Sequence, residues 1–180
     1  MGYYHSLIRR KFTDVAGTRY DDVLKEYADF FPAREDFVIK PVDSVFIPLD
    51  YFSPAIPANI PAIIAVYDAP VEIVYIIDEE AIRLIADGLG NDAEEMFRKK
   101  EEALAGGFLR RARDLFTDAG VAGTARMQAG VKGDTAIALA GNHDLMAIGK
   151  KFGMVTGEQF PASPAVFRIK QVTACPVIIY

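Results

Sequence analysis

The stretch SVFIPLDYFSPAIPANIPAIIAVYDAPVEIVYIID, from Ser44 to Asp78, contains the pattern that decides the fold. It begins and ends with compact apolar runs, SVFIPLD and VEIVYIID, and each run closes on an aspartate. Such runs are typical of strands buried on both faces, as in a parallel sheet. The prolines between them predict a short or irregular helix whose regular part begins near Pro61, because proline inside a helix clashes with the preceding turn. The stretch therefore predicts a strand, a short helix and a second, parallel strand.

The alternation of strands and helices continues to the last residue. Residues 79–120 are mostly helical, with a break at Gly88–Asn91 and an apolar stripe in the second part, formed by Phe97, Leu104, Phe108 and Leu115. TARMQAG alternates polar and apolar residues, which is typical of an edge strand, GDTAIALAGNH predicts a short helix, and DLMAIG and CPVIIY predict buried strands. Parallel neighbours need helical crossovers, so the order predicts an open α/β sheet with helices on both faces.

Residues 1–42 differ in character from the rest of the chain. YYHSLIRRKF and TRYDDVLKEYADFF carry apolar residues at helical spacing, which predicts two short helices, the second of which ends at Pro32. The predicted organisation is a helical N-terminal extension, residues 1–42, and an α/β domain, residues 43–180. The extension either packs on the main domain or a partner subunit, or lies on a membrane surface. Acidic residues within the second helix favour packing.

The composition limits the classes of partner and location. Of the 180 residues, 51% are hydrophobic and 25% are charged, as in an ordinary globular protein. The formal charge of -5 argues against nucleic acid as a partner, because phosphate backbones are bound by clustered Lys and Arg. The single cysteine cannot form an internal disulfide, and the sequence shows no signal-peptide pattern and no apolar run of membrane-spanning length. A cytoplasmic protein without a membrane partner is expected.

The residue pattern predicts neither a catalytic site nor a metal site. Cys175 stands at the start of an apolar strand, which is typical of a buried small side chain. His5 and His143 lie in the extension and in a loop, and the few His and Cys residues show no metal-ligand spacing. The pair His143–Asp144 leaves a hydrolase open as an alternative, although adjacent residues alone do not define a triad.

Three segments, taken in chain order, resemble the universal stress protein family. VFIPLDYFSPA is similar to the family's first strand and turn, where an aspartate follows the strand and a serine opens the helix. VEIVYIID is similar to the second strand, and the segment from GDTAIALAGNHDLMAIGKKFG to ACPVIIY is similar to the closing half. The resemblance covers residues 43–180 and implies a Rossmann-like, open five-stranded parallel sheet of order 3-2-1-4-5.

Family members that bind ATP carry a glycine-rich loop: a glycine, two residues, a second glycine, nine residues, then glycine with serine or threonine. In this chain Gly149 is followed by three residues, Gly153, nine residues and Ser163–Pro164. The proline has no amide hydrogen, but the serine is a good N-cap, and the amides of Ala165 and Val166 are expected to point outward. The resemblance therefore implies a degenerate phosphate loop.

The resemblance implies a regulatory protein of the stress response that senses ATP or AMP through this loop, with slow ATP hydrolysis as the most chemistry expected. The alternative is an interaction module of the same fold that binds no nucleotide and acts on an unidentified protein partner through its dimer and arm surfaces. In the nucleotide-binding case, one subset of residues faces the adenine and ribose and the other faces the phosphates. The first subset is Asp50 with the backbone near Ile77; the second is Gly149, Lys150, Gly153, Ser163 and Ala165.

The C-terminal strand predicts a homodimer. In the implied strand order the fifth strand is an edge, and PVIIY is apolar throughout, with no charge to discourage pairing. Family members commonly pair their fifth strands across a two-fold axis, which uses the same surface on both subunits. The alternative is a monomer in which the N-terminal extension covers this edge.

Overall fold

A computed structural model describes residues 41–154 and 161–180. The two helices predicted in the N-terminal extension lie outside the described residues, so the extension and its domain boundary remain predictions. The strands are β1 (Val45–Leu49), β2 (Val71–Asp78), β3 (Gly123–Gly130), β4 (Leu145–Ile148) and β5 (Val177–Ile179). The helices are α1 (Asn59–Ala65), α2 (Glu79–Leu89), α3 (Asn91–Asp118), α4 (Lys132–Ala140) and α5 (Pro164–Val172).

The five strands form one parallel sheet of order β3-β2-β1-β4-β5, which confirms the predicted topology. The central strand, β1, pairs with β2 from Val45 opposite Val71 to Leu49 opposite Tyr75, and with β4 on its other side. The direction of winding reverses between β1 and β4. In open α/β sheets this reversal places a crevice at the carboxyl ends of the strands, where ligands usually enter.

Alternating side chains of the strands build a core on each face of the sheet. Val45, Ile47 and Leu49 of β1 pack in the cluster that includes residues of α1, α2 and α3, whereas Phe46 packs in the cluster that includes residues of α4 and α5. All five residues of β1 are buried, as expected for a central parallel strand covered by helices on both sides. The prediction of helices on both faces is confirmed.

The first two helices after β2 are separated where the break was predicted. Asp78 is the N-cap of α2, and its side chain accepts hydrogen bonds from the N–H groups of Glu80 (3.1 Å) and Ala81 (3.3 Å). Gly90 then adopts a φ of +88°, which glycine accommodates more easily than residues with a β-carbon. The chain therefore ends α2 at Leu89 and begins α3 at Asn91.

The apolar stripe predicted for α3 lies beside its buried face rather than on it. Phe97, Leu104, Phe108 and Leu115 are only partly buried. The buried positions of α3 are Glu101, Ala105, Leu109, Ala112 and Phe116. The large partly buried rings extend the core at its margin, where Phe97 and Phe108 pack against it.

None of the helices within the described residues is long and apolar enough to cross a membrane.

Candidate functional site

Asp50 lies at the carboxyl end of β1 and is fully buried, with 0% of its surface exposed. Its Oδ1 accepts hydrogen bonds from the backbone N–H groups of Phe52 (3.1 Å) and Ser53 (2.8 Å). Its Oδ2 accepts one from the backbone N–H of Gly153 (2.9 Å), which lies 103 residues away in the chain. The carboxylate therefore ties the turn after β1 to the loop after β4.

Lys132, the first residue of α4, completes the surroundings of this carboxylate. Its Nζ lies 3.2 Å from Oδ2 of Asp50 and 3.6 Å from Oδ2 of Asp78, and only 12% of its side chain is exposed. The ammonium group also lies 5.0 Å from the centre of the Phe52 ring. A buried lysine needs such partners, because removing an unpaired charge from water is costly. Asp50, Lys132 and Asp78 thus form a charged cluster at the carboxyl ends of the strands.

Lys132 is not among the site residues that the sequence predicts. The signal was its position, two residues after the predicted edge strand TARMQAG, because the residues that follow parallel strands gather at one edge of a sheet. Asp50 directly follows β1 and Asp78 is the last residue of β2, and both lie at the same edge of the sheet as Lys132.

The two predicted loop glycines allow close packing within the protein. Gly149 is buried against Ser53, and a β-carbon at Gly149 would overlap the Ser53 hydroxyl oxygen. Gly153 has a φ of +87°, and a β-carbon there would lie 2.5 Å from the β-carbon of Ala165. Both glycines are therefore required by contacts of the loop with its own domain.

Ser163 is fully buried and caps α5, and its polar groups are bonded inside the protein. Its hydroxyl donates to the carbonyl of Phe152 and accepts from the N–H of Val166 (3.1 Å), while its own N–H donates to the carbonyl of Lys150 (2.8 Å). The expectation of an outward-pointing Val166 amide is therefore wrong, because the serine cap uses that amide. Lys150 is exposed, and its backbone N–H donates to the carbonyl of Tyr180 (2.6 Å).

The predicted site residues are only partly brought together. Asp50 meets Gly153 through a hydrogen bond, and Gly153 lies against Ala165. Ile77 is 5% exposed and belongs to the core cluster on the α1–α3 face. It pairs with Ala129 of β3, beyond the point where the pairing of β2 with β1 ends.

A cavity of about 240 Å³ lies next to the charged cluster, at the carboxyl ends of β1 and β2. Most of its accessible lining is apolar. Three aromatic rings, two lysines, two carboxylates and two aliphatic side chains form its walls. They are Tyr51, Phe52, Phe97, Lys100, Lys132, Asp78, Glu101, Ala81 and Leu104.

Glu101 is the most buried charged residue contributed to the cavity by α3, with 9% of its surface exposed. Its Oε2 accepts a hydrogen bond from the hydroxyl of Tyr75 (3.0 Å), a fully buried residue of β2. Burial, and then the charge of Glu101, hold the pKa of the Tyr75 phenol well above its usual range. The Tyr75 hydroxyl therefore stays protonated and donates a hydrogen bond to the Glu101 carboxylate.

Comparisons with known proteins identify the fold. No family model matches the sequence, and no curated protein matches it. Among solved structures, the universal stress protein UspA from Lactobacillus plantarum is 15% identical, with a TM-score of 0.63 over 78% of this chain and 99% of that one. A universal stress protein family member from Burkholderia pseudomallei is 18% identical, with a TM-score of 0.53 over 79% of this chain and 98% of that one.

A universal stress protein in complex with cAMP is also similar. It is 18% identical, with a TM-score of 0.52 over 78% of this chain and 98% of that one. The predicted strand order and the structural matches agree. This chain therefore has the fold of the universal stress protein family, as the sequence resemblance predicted.

Proposed function

We propose that this protein is a regulatory protein that binds an adenine nucleotide mainly through its base, in the cavity at the carboxyl ends of β1 and β2. The observation that carries this proposal is the lining of the cavity, where the rings of Tyr51, Phe52 and Phe97 surround a space of about 240 Å³. Mostly apolar pockets with a few polar groups are typical ligand sites, and aromatic rings stack on nucleobases. The complex of a similarly folded protein with cAMP supports this ligand class.

The hydrogen bonds around the degenerate loop indicate that the phosphates of a bound nucleotide contribute little to its affinity. The Gly153 N–H is bonded to Asp50, and both the hydroxyl and the N–H of Ser163 are bonded within the protein. Lys150 and Lys151 are exposed, and exposed ion pairs contribute only about 0–1 kcal/mol because water screens them. The base then supplies most of the affinity, and occupancy acts on the adjoining cluster of Asp50, Lys132 and Asp78. We place this regulation in the stress response.

Adenosine, AMP and ATP are expected to bind with dissociation constants within about tenfold of one another, equivalent to about 1.4 kcal/mol. The reason is that the N–H groups of Gly153, Ser163 and Val166 already donate hydrogen bonds within the fold. Isothermal titration calorimetry of the three ligands at one salt concentration measures the series. ATP binding a hundredfold tighter than adenosine would show instead that the loop binds phosphate, and absence of binding by all three would refute the proposed function.

A pair of matched variants locates the ligand. Tyr51→Ala removes a half-exposed ring from the cavity and should weaken adenosine binding by about 1–3 kcal/mol, the scale of base stacking on an aromatic side chain. Tyr67→Ala removes a similarly exposed tyrosine that does not line this cavity and should leave the affinity unchanged. Equal effects of the two substitutions would place the ligand elsewhere.

A second candidate function is that of an interaction module, and the outer edge of β5 favours it. Backbone groups of Pro176 and Tyr180 bond to β4 and its flanking residues. Since backbone groups alternate along a strand, those of Val177 and Ile179 point to the opposite edge, where no strand of residues 41–154 and 161–180 pairs with β5. Ile179 is 38% exposed there, and β5 is the terminal strand of the sheet. An apolar edge without a charge is suited to pairing with a second copy of the strand.

The protein is expected to be a homodimer, and Ile179→Lys is expected to convert it to a monomer. A lysine on the edge introduces a charge at the position where the two copies would meet. Ile179 is preferred to Ile178, because Ile178 packs against the core. Light scattering measures the mass of each protein. Val172→Lys is the control, since it adds the same charge to an exposed apolar residue of α5 and should leave a dimer. A wild-type monomer, or an unchanged mass for Ile179→Lys, would contradict pairing through β5.

A further inference from the structure

Glu101 is a charged residue of the cavity wall that the fold holds in place through one of its two carboxylate oxygens. Glu101 lies nine-tenths buried among mainly apolar walls, where an unpaired carboxylate is costly. Tyr75 satisfies Oε2 and restrains the side chain. Oε1 has no hydrogen-bond partner within residues 41–154 and 161–180. One oxygen of a restrained carboxylate thus remains available to a ligand in the cavity.

The other charged groups deep in the cavity already have structural partners. Lys132 is paired with Asp50 and Asp78, and Asp78 also caps α2 through its other oxygen. Lys100 is an exposed residue of α3. Glu101 is therefore the group best placed to distinguish one bound ring from another.

A carboxylate accepts hydrogen bonds and cannot donate one, so it favours a ligand with an N–H group and disfavours one without it. Buried polar groups discriminate strongly in this direction, because an analogue that lacks the matching group leaves them unpaired. The flat rings of Tyr51, Phe52 and Phe97 suit a planar heterocycle. Together these groups suit a planar base with a donor on its edge.

We propose that Glu101 determines the specificity of this cavity, by accepting a hydrogen bond at Oε1 from the exocyclic amino group of an adenine base. The inference rests on the proposed function and adds to it the group that reads the base. Asp50, which was the carboxylate predicted on the adenine side, is fully buried, and its oxygens are bonded within the fold. The recognition role expected of Asp50, at the end of β1, belongs in this proposal to Glu101 on α3.

The test compares adenosine with purine riboside, which has the same ring and ribose but lacks the amino group. The wild-type protein should bind adenosine at least about tenfold more tightly, the loss expected when a hydrogen bond to a charged group is removed. Glu101→Gln should reduce this ratio to about twofold, since the neutral amide is a weaker acceptor and also presents a donor. Calorimetry with both nucleosides on both proteins measures the ratio.

A second variant tests the same inference without leaving a buried hydrogen-bonding group unpaired. Tyr75→Phe with Glu101→Met removes both partners of the buried hydrogen bond and keeps apolar side chains of similar size. It should abolish the preference for adenosine while retaining binding of purine riboside.

Three outcomes are decisive against the inference. If the wild-type protein binds both nucleosides equally, Glu101 does not read an adenine amino group, and the proposed base-binding function is retained. If the ratio is unchanged in a folded Glu101→Gln variant, another group provides the discrimination. If neither adenosine nor purine riboside binds, the inference and the proposed function both fail.

Discussion

Asp50→Ala is expected to destabilise the domain by about 3–5 kcal/mol, the usual cost of breaking a buried ion pair by removing one partner. Asp50 is fully buried and accepts from Phe52, Ser53 and Gly153, in addition to pairing with Lys132. Its loss leaves three backbone donors without this acceptor and removes the nearer of the two carboxylates that pair with Lys132. Urea denaturation followed by circular dichroism measures the change in the free energy of unfolding.

Two comparisons separate this cost from a general effect of lost charge. Asp134→Ala breaks the 2.8 Å ion pair with Arg168, but both side chains are largely exposed, so the expected cost is below about 1 kcal/mol. Asp50→Asn combined with Lys132→Met should be less destabilised than the sum of the single substitutions, because the second change removes the uncompensated ammonium group. If Asp50→Ala costs no more than Asp134→Ala, the buried cluster does not stabilise the fold.

Gly153→Ala is expected to destabilise the domain by about 2–5 kcal/mol, the sum of a left-handed backbone at a residue with a β-carbon and an overpacked contact. The φ of +87° accounts for the first part, and the 2.5 Å approach to the β-carbon of Ala165 accounts for the second. The substitution also disturbs the N–H that donates to Asp50. Chemical denaturation of the variant tests the requirement for glycine in this loop.

The matched control is Gly106→Ala within α3, where the added β-carbon meets no atom within 4 Å. That substitution should stabilise the protein by about 0.5–1 kcal/mol, because alanine is the better helix former. Adding Ala165→Gly to Gly153→Ala should recover the steric part of the loss and leave the backbone part. Equal stability of Gly153→Ala and Gly106→Ala would mean that the loop has no requirement for glycine at position 153.

The sequence was sufficient to predict the parallel sheet, and the family resemblance implied its strand order. Apolar runs such as VEIVYIID and the helical crossovers between them depend on neighbours in the chain, and their order restricts the topologies that a parallel sheet can adopt. The strand-ending residues Asp50 and Asp78 could likewise be assigned to one edge, because parallel strands all end on the same side.

The roles of individual residues at that edge were decided only by the tertiary structure. Asp50 is a candidate ligand contact in the sequence, yet its partner Gly153 lies 103 residues away, and their hydrogen bond exists only after β1 and β4 pair. Helical spacing identified the large apolar residues of α3 but not the buried Glu101, because Tyr75 satisfies that carboxylate from a different element. Local patterns follow from short-range backbone and hydrophobic preferences and can be read along the chain. Burial and hydrogen-bond partnership depend on segments that meet only when the domain has folded, and they determine which charged groups are structural and which remain available to a ligand.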